Sequence, residues 1–432
     1  MTATSSTRPL NIGFVSTRFS GTDGVSLEAE KWAGELEEMG HTCFYFSGES
    51  DRPAERSHVA PEAFFQHPAI AAINDIAFEE PWGRQDLLEL LNTSIQGAYN
   101  ENFSQYIRPP RVTKRIRELA DHLKQGLYAF VQAFEIELFV IENALTIPMN
   151  IPLGLAITEV IAETGMPTIA HHHDFYWERQ RYLVNCVTDY LKACFPPTLP
   201  SIQHVVISSW AARQLSLNAG VSATVIPNVM DFDHPPETPD GYLAPMRADL
   251  GLSEDELLIL QPTRVVQRKG IEHAIELVKR LGRPAHLVIS HASGDEGGEY
   301  EQHVREFARL LDVPATFVSG IISTGRGTTP DGRRIYTLAD VYAKADLVTY
   351  PSTIEGFGNA FLEAIYYRRP LVVNNYSIYA IDIKPKGFQV IEFDGFVSQR
   401  TIDETCKVLD NPPLVERMVE QNYVLGRKHY SH

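Results

Sequence analysis

Two carboxylates, Glu355 and Glu363, bracket the segment EGFGNAFLE. It follows an apolar, strand-like run ending DLVTYPS and leads into FLEAIYYRR, which Pro370 terminates. A strand, a glycine-containing turn and a helix start together make an anion site. The first-turn N–H groups have no partner within the helix, and the helix dipole adds positive partial charge. Gly356 and Gly358 allow a ligand to approach the backbone closely. Two carboxylates would repel a phosphate, so the glutamates suit a different task. They can accept hydrogen bonds from hydroxyls, as on a sugar or a ribose.

Phosphate donors flanked by hydroxyl acceptors match a nucleotide sugar. Taken alone, the segment also reads as a surface helix with two solvated carboxylates. A second loop bears on that choice. In LLILQPTRVVQRKGIEHAIEL, Arg264 lies just beyond a strand and Lys269 just before a helix, with Arg268 as a third cation. A diphosphate needs a planar bidentate donor and a compact charge, which arginine and lysine supply differently. Each charge-assisted bond contributes about 1.5–3 kcal/mol when shielded from water. The alternative is a solvated basic loop. It is weakened by position, because this loop and EGFGN both lie at strand carboxyl ends of one inferred sheet.

The third candidate is TIAHHHDFYWERQRY. Neighbours on an extended chain point to alternating faces, so its three consecutive histidines cannot all bind one ion. With no HExxH and no second cluster at ligand spacing, no metal is expected. His173 and Asp174 sit at a strand end, with Tyr176, Trp177 and Arg179 nearby, and such groups suit a carbohydrate or polar acceptor. A partly buried polar cap is the competing reading. In FVSTRFSGTDGVSLEAE, Gly21 and Gly24 precede a helix. The spacing is not GxGxxG, and FYFSG offers no acidic ribose ligand, which argues against a dinucleotide fingerprint. The loop either brings a substrate close to backbone N–H groups or is a simple turn. Asp231-Phe232-Asp233 has the DxD form of metal-dependent sugar transferases of another fold, but it lies in a proline-rich stretch and reads as linker.

The elements that must position these loops alternate along the chain. NIGFVST, HTCFYFSG, ELFVIENA, PTIAHHH and HVVISS read as strands separated by helical stretches, with residues 85 to 141 mostly helical and amphipathic. A second series runs through LLILQPTR, HLVISH, ATFVSG, DLVTYPS and PLVVNN. Strands separated by helices imply parallel sheets covered on both faces. The expected class is α/β, with two Rossmann-like doubly wound domains facing across a cleft. Ligands in such sheets bind at strand carboxyl ends. The expected divisions are 1–230, a linker at 231–246, a second domain at 247–411 and a terminal segment at 412–432.

At 432 residues the chain is too long for one ordinary core. A net charge of −17 weighs against nucleic acid or anionic lipid as the main partner. RVTKRIRELADHLK, basic at its start, leaves open a peripheral membrane contact that the rest of the composition does not favour. Four scattered cysteines without a CxxC pair suit free thiols in a reducing compartment. No apolar run reaches membrane-spanning length and MTATSSTRPL is polar, so a cytoplasmic location is expected.

Taken together, GTDGV, HHHDF, VVISSWAARQL, IPNVMDF, TRVVQRKG and ADVYAKADLVTYPSTIEGFGNAFLEA resemble family 4 of the retaining glycosyltransferases, which have the GT-B fold. The resemblance covers almost the whole chain. It implies that Arg264 and Lys269 hold the donor diphosphate, that Glu355 contacts donor-sugar hydroxyls, and that Phe357 and Gly358 offer backbone N–H groups. It implies a ribose contact for Glu363, a phosphate-side loop at Gly24, and a place beside the donor sugar for His173. The implied activity is transfer of a hexose, with retention and without a bound metal, from a uridine or guanosine diphosphate sugar. The expected acceptor is a hydroxyl of a small polar molecule or sugar, on the acidic charge and the lack of an obvious basic amphipathic membrane helix. The nucleotide sugar is a co-substrate, and no further cofactor is implied. A catalytically silent nucleotide-sugar-binding protein and a GT-B sugar-nucleotide epimerase are the other readings. Asn359 departs from the family, which often has an apolar residue there. The long helical stretch near 78 to 140 is also atypical and suits an acceptor pocket. The closing NYVLGRKHYSH resembles the approach to a helix that crosses back to the first domain, and the expectation is that this helix is truncated or unusually short.

Overall fold

The computed structural model describes residues 8–21, 24–78, 108–237, 239–292 and 298–432. The chain divides into two compact units, Met1–Ile226 and Pro227–His432. Much of the helical region read at 78 to 140, and the Thr22-Asp23 part of the first glycine loop, lie outside the described residues.

In the first unit the strands are β1 (Asn11–Val15), β2 (Thr42–Ser47), β3 (Ser57–Val59), β4 (Leu138–Glu142), β5 (Thr168–His172), β6 (Ile202–Val206) and β7 (Thr224–Val225). They form one sheet in the order β3-β2-β1-β4-β5-β6-β7, with every pairing parallel. Parallel strands need crossovers that return over a sheet face, and the helices cover both faces. Side-chain alternation then sorts the core into two layers. Phe14, Tyr45 and Val140 pack with Ala29 and Ala33 of the helix Gly24–Glu38. Val15, Phe46 and Ile141 pack with Leu127, Phe130 and Ile157 of the helices Pro110–Phe134 and Ile151–Thr164.

The second unit repeats the scheme. Its strands are β8 (Leu257–Gln261), β9 (Ala285–Ile289), β10 (Ala315–Phe317), β11 (Ile322–Ser323), β12 (Gly327–Thr328), β13 (Arg334–Thr337), β14 (Leu347–Tyr350), β15 (Leu371–Asn374) and β16 (Ile391–Phe393). The main sheet runs β10-β9-β8-β14-β15-β16, again with parallel pairings. In both units the first strand is central and the chain reverses direction beside it. That reversal, β1/β4 in one sheet and β8/β14 in the other, leaves a crevice at the carboxyl ends.

Three features go beyond the sequence reading. The stretch after β10 makes a small sheet, β11-β13-β12, from strands too short to show a period. The described residues of the stretch read as linker, 231–237 and 239–246, belong to the second unit and are anchored there by buried Phe232, Leu243 and Met246. There Phe232 is buried against Gly426 and Tyr423, and the Tyr242 hydroxyl donates to the carbonyls of Gly327 and Ile335. The closing residues lie on the helix Pro412–Tyr430, which packs on the helix Asn359–Tyr366 of the same unit.

Candidate active site

The loops after β8 and β14 flank the strand-order reversal of the second sheet, and both are tied down. Gly270 has φ of +57°, and a Cβ there would come within 2.9 Å of the Pro351 carbonyl, so only glycine lets the two loops approach this closely. The Arg268 carbonyl accepts from the Thr353 N–H at 2.9 Å and from its hydroxyl at 3.1 Å. Beneath them, Thr349 donates to Gln261, which donates to Thr263, linking the two strand ends through a buried chain.

The charged groups meet on this frame. The Lys269 ammonium donates to Glu355 Oε1, and Arg268 reaches Glu355 Oε2 at 3.3 Å. Lys269 and Glu355 are both buried, their side chains only 10% and 8% exposed. Burial pushes Lys269 below the ordinary lysine value, with Arg268 and Arg264 adding to the effect and Glu355 opposing it. Burial likewise opposes ionisation of Glu355. The Lys269 and Arg268 charges outweigh it and hold the carboxyl below its usual range. Arg264 is exposed just beyond β8. His291, beyond β9, feels Arg264 and Lys269; burial first and then these cations hold its imidazole below the usual value.

Phe357, Gly358 and Asn359 lead into the helix Asn359–Tyr366. Gly358 has φ of +132°, and a Cβ there would lie 2.3 Å from the Tyr376 hydroxyl, which donates to the Phe357 carbonyl at 2.9 Å. Phe357 is buried with its ring edge-on to Tyr430. The Asn359 amide oxygen accepts from Asn228 at 2.6 Å, a contact open to asparagine and closed to an apolar residue. Glu363, half-buried, accepts from the Tyr342 hydroxyl at 2.8 Å. Thus Arg264, Lys269 and Glu355 gather at one sheet end, whereas Glu363 sits further along the helix on a different partner.

In the first unit, Gly24 opens the helix Gly24–Glu38. Alternation along β5 separates the three histidines. His171 and His173 turn to the face carrying that helix, where Trp32 stacks on His171 at 4.5 Å. His172 turns the other way, bonded to Thr146 at 2.6 Å and to His204 at 3.0 Å. Glu142, at the end of β4 and in register with His171, accepts from His171 at 3.0 Å and His173 at 3.3 Å. Ligand-type atoms of Glu142, His171 and His173 lie within 4.8 Å of one another, a spacing that could hold a metal ion, although the three consecutive histidines cannot all share one. The prospective acceptor residues are largely engaged. Asp174 pairs with Arg179, and Trp177 stacks on Phe175 at 4.5 Å with Tyr176 edge-on at 5.0 Å.

Sequence reasoning passed over Glu142, His171 and His291. A signal existed for the first two. HxH on a strand puts two imidazoles on one face, and the preceding strand, LFVIE, ends in an acid.

The chain matches the family model described as glycosyl transferases group 1 over residues 257–396. It is 30% identical to the mannosylglucosylglycerate synthase of Petrotoga mobilis, covering 97% of each chain. It is 28% identical to the enzyme of that name from Thermotoga maritima, covering 98% of this chain and 97% of the other. Anabaena HepE, solved in complex with UDP and glucose, superposes with a TM-score of 0.61 at 13% identity, over 98% of this chain and 96% of that one. End-to-end similarity of this kind, with a parallel sheet in each unit, means that the chain belongs to the group 1, family 4 glycosyltransferases and has the GT-B fold.

Proposed function

We propose that this glycosyltransferase moves a hexose, with retention, from a uridine or guanosine diphosphate sugar to a hydroxyl of a small polar glycoside. The observation that carries the reading is Lys269 and Arg268 paired with Glu355, with Arg264 acting on Lys269, at the strand-order reversal of the second sheet. A diphosphate placed there meets a planar guanidinium, an ammonium and the first-turn N–H groups of the helix headed by Gly358. Charge grows on the leaving diphosphate as the glycosidic bond breaks. Fixed cations stabilise it without reorganising, which lowers the barrier. In this scheme the chain's own cations meet that charge.

Glu355 is held by Lys269 and Arg268 and is not a general base. Ionised, it can accept from a sugar hydroxyl while keeping the lysine in place. The family resemblance assigns Glu363 to the ribose, and Gly24 and His173 to the same reaction. The leaving diphosphate oxygen then assists deprotonation of the incoming hydroxyl on the same face. The two relatives called mannosylglucosylglycerate synthases support a glycosylated glycerate as acceptor and mannose as the sugar transferred.

The test is a panel of uridine, guanosine and adenosine diphosphate sugars read by thermal shift, followed by transfer to glucosylglycerate with the product's anomeric configuration read by NMR. A donor at 100 times its dissociation constant should stabilise the fold by about 2.7 kcal/mol. No shift with any donor, or an inverted product, would overturn the reading.

A further inference from the structure

At the carboxyl end of the first sheet a buried cluster joins His173 to Glu142 and His171, two residues that the transfer scheme does not use. Glu142 is fully buried, and its carboxylate accepts from His171 Nδ1 and His173 Nε2. A buried carboxylate is unfavourable unless charged or hydrogen-bonded partners hold it. Here the two imidazoles do so, both at Glu142 Oε2. His171 is itself stacked on Trp32, which fixes the ring that donates to the carboxylate. The His173 backbone N–H donates to the Asn143 side chain at 3.2 Å, which fixes the strand end that carries the ring. An imidazole held by a carboxylate through one nitrogen has a set tautomer and ring plane, and offers its other nitrogen to a ligand.

We propose that Glu142 is the positioning residue for His173, holding its Nε2–H so that Nδ1 is the nitrogen presented to the donor sugar. The role of Nδ1 rests on the reading of His173 given under the proposed function; the Glu142–His173 couple does not. Among the described residues, four groups face the ring. They are Glu142 from β4, Glu28 from the helix Gly24–Glu38 with Lys31 at 3.1 Å from it, and His171 and Asp174 from the ring's own segment. Burial alone would push the His173 imidazole down. The hydrogen bond and charge of Glu142, with Glu28 and Asp174 adding, outweigh burial and hold it above the usual histidine value.

Histidine-selective 1H–15N spectra across pH, for wild type and Glu142→Gln, test the couple. In the wild type, neutral His173 should carry its proton on Nε2. In the variant its pKa should fall, because an amide cannot balance the imidazolium. Turnover should drop roughly 10- to 100-fold with KM for the donor little changed, as when an orienting partner of a functional histidine is lost. A wild-type ring protonated on Nδ1 overturns the proposal without any variant, so poor folding of Glu142→Gln leaves it decidable. An unchanged His173 pKa in the variant also overturns it. So does one equivalent of metal in the purified protein that Glu142→Gln loses, since Glu142 would then be a ligand. Full activity of His173→Ala, with the spectra as expected, would remove the sugar-facing role while leaving the couple established.

Discussion

Lys269 and Glu355 form a buried ion pair joining the loop after β8 to the loop after β14. Neither charge stands open to solvent, so each is both part of the prospective donor site and a condition for the other's burial. Breaking such a pair on one side leaves an uncompensated charge and costs about 3–5 kcal/mol. Lys269→Ala and Glu355→Ala should therefore each lower stability by that order and abolish transfer. Lys269→Met combined with Glu355→Gln should recover most of the stability and none of the activity. Urea titrations beside a transfer assay check both, and a double variant as unstable as the singles would show that the pair is not the reason.

Arg264 behaves differently because it is exposed at its loop. Arg264→Ala should leave the urea midpoint close to wild type while weakening nucleoside diphosphate binding. Loss of one or two charge-assisted bonds corresponds to roughly 10- to 100-fold in affinity. Calorimetry with the bare diphosphate reads this directly.

Gly358 combines a backbone angle that disfavours other residues with a Cβ position 2.3 Å from the Tyr376 hydroxyl. Gly358→Ala should cost about 1–3 kcal/mol and reduce activity sharply, because the helix start moves. Adding Tyr376→Phe removes the clash but not the backbone strain, so the pair should recover part of the stability. Complete recovery would mean that the angle is tolerated.

Acid stability follows from His172 and His204. Burial first, then the neighbouring imidazoles, pushes His172 well below 6.5, and burial brings His204 to about 4. Unfolded imidazoles take up a proton near 6.5, so over this range the unfolded state binds more protons and stability rises with pH. The contribution is whole above 6.5 and is lost as pH falls, with His204 alone accounting for about 3 kcal/mol. Glu142, held at about 2 against burial by His171 and His173, acts in the same direction lower down. Its share is present above 4.5 and lost as pH falls toward 2. His173, raised, acts oppositely, contributing below 6.5 and fading as pH climbs through its folded value. Urea midpoints should fall from about pH 6.5 to 4, and His204→Gln should flatten that slope. A midpoint that rises on acidification would contradict the assignment.

The architecture was legible because it rests on local patterns. Apolar runs such as LLILQ and LVTY, separated by amphipathic helices, can be buried only as parallel strands covered on both faces, and ordered loops such as QRKG and EGFGN mark their carboxyl ends. Strand alternation alone already sends His172 away from His171 and His173. The segment DFDHPPETPD misled because proline density suggests a linker, whereas burial of Phe232 depends on Gly426, far along the chain.

Residue types and their spacing therefore determined the sheet-and-helix order, the loops proposed to carry the chemistry and the family. Tertiary structure decided which charges meet. Glu355 reads from the sequence as a candidate hydroxyl acceptor, but only the closeness of two loops that Gly270 permits makes it the partner of Lys269. Glu142 drew no notice until β4 and β5 paired in register and set it between two imidazoles. The physical reason is the same in both cases. Propensity and periodicity act over a few residues, whereas the pairing of buried charge is imposed by desolvation between segments that only the folded sheet brings together.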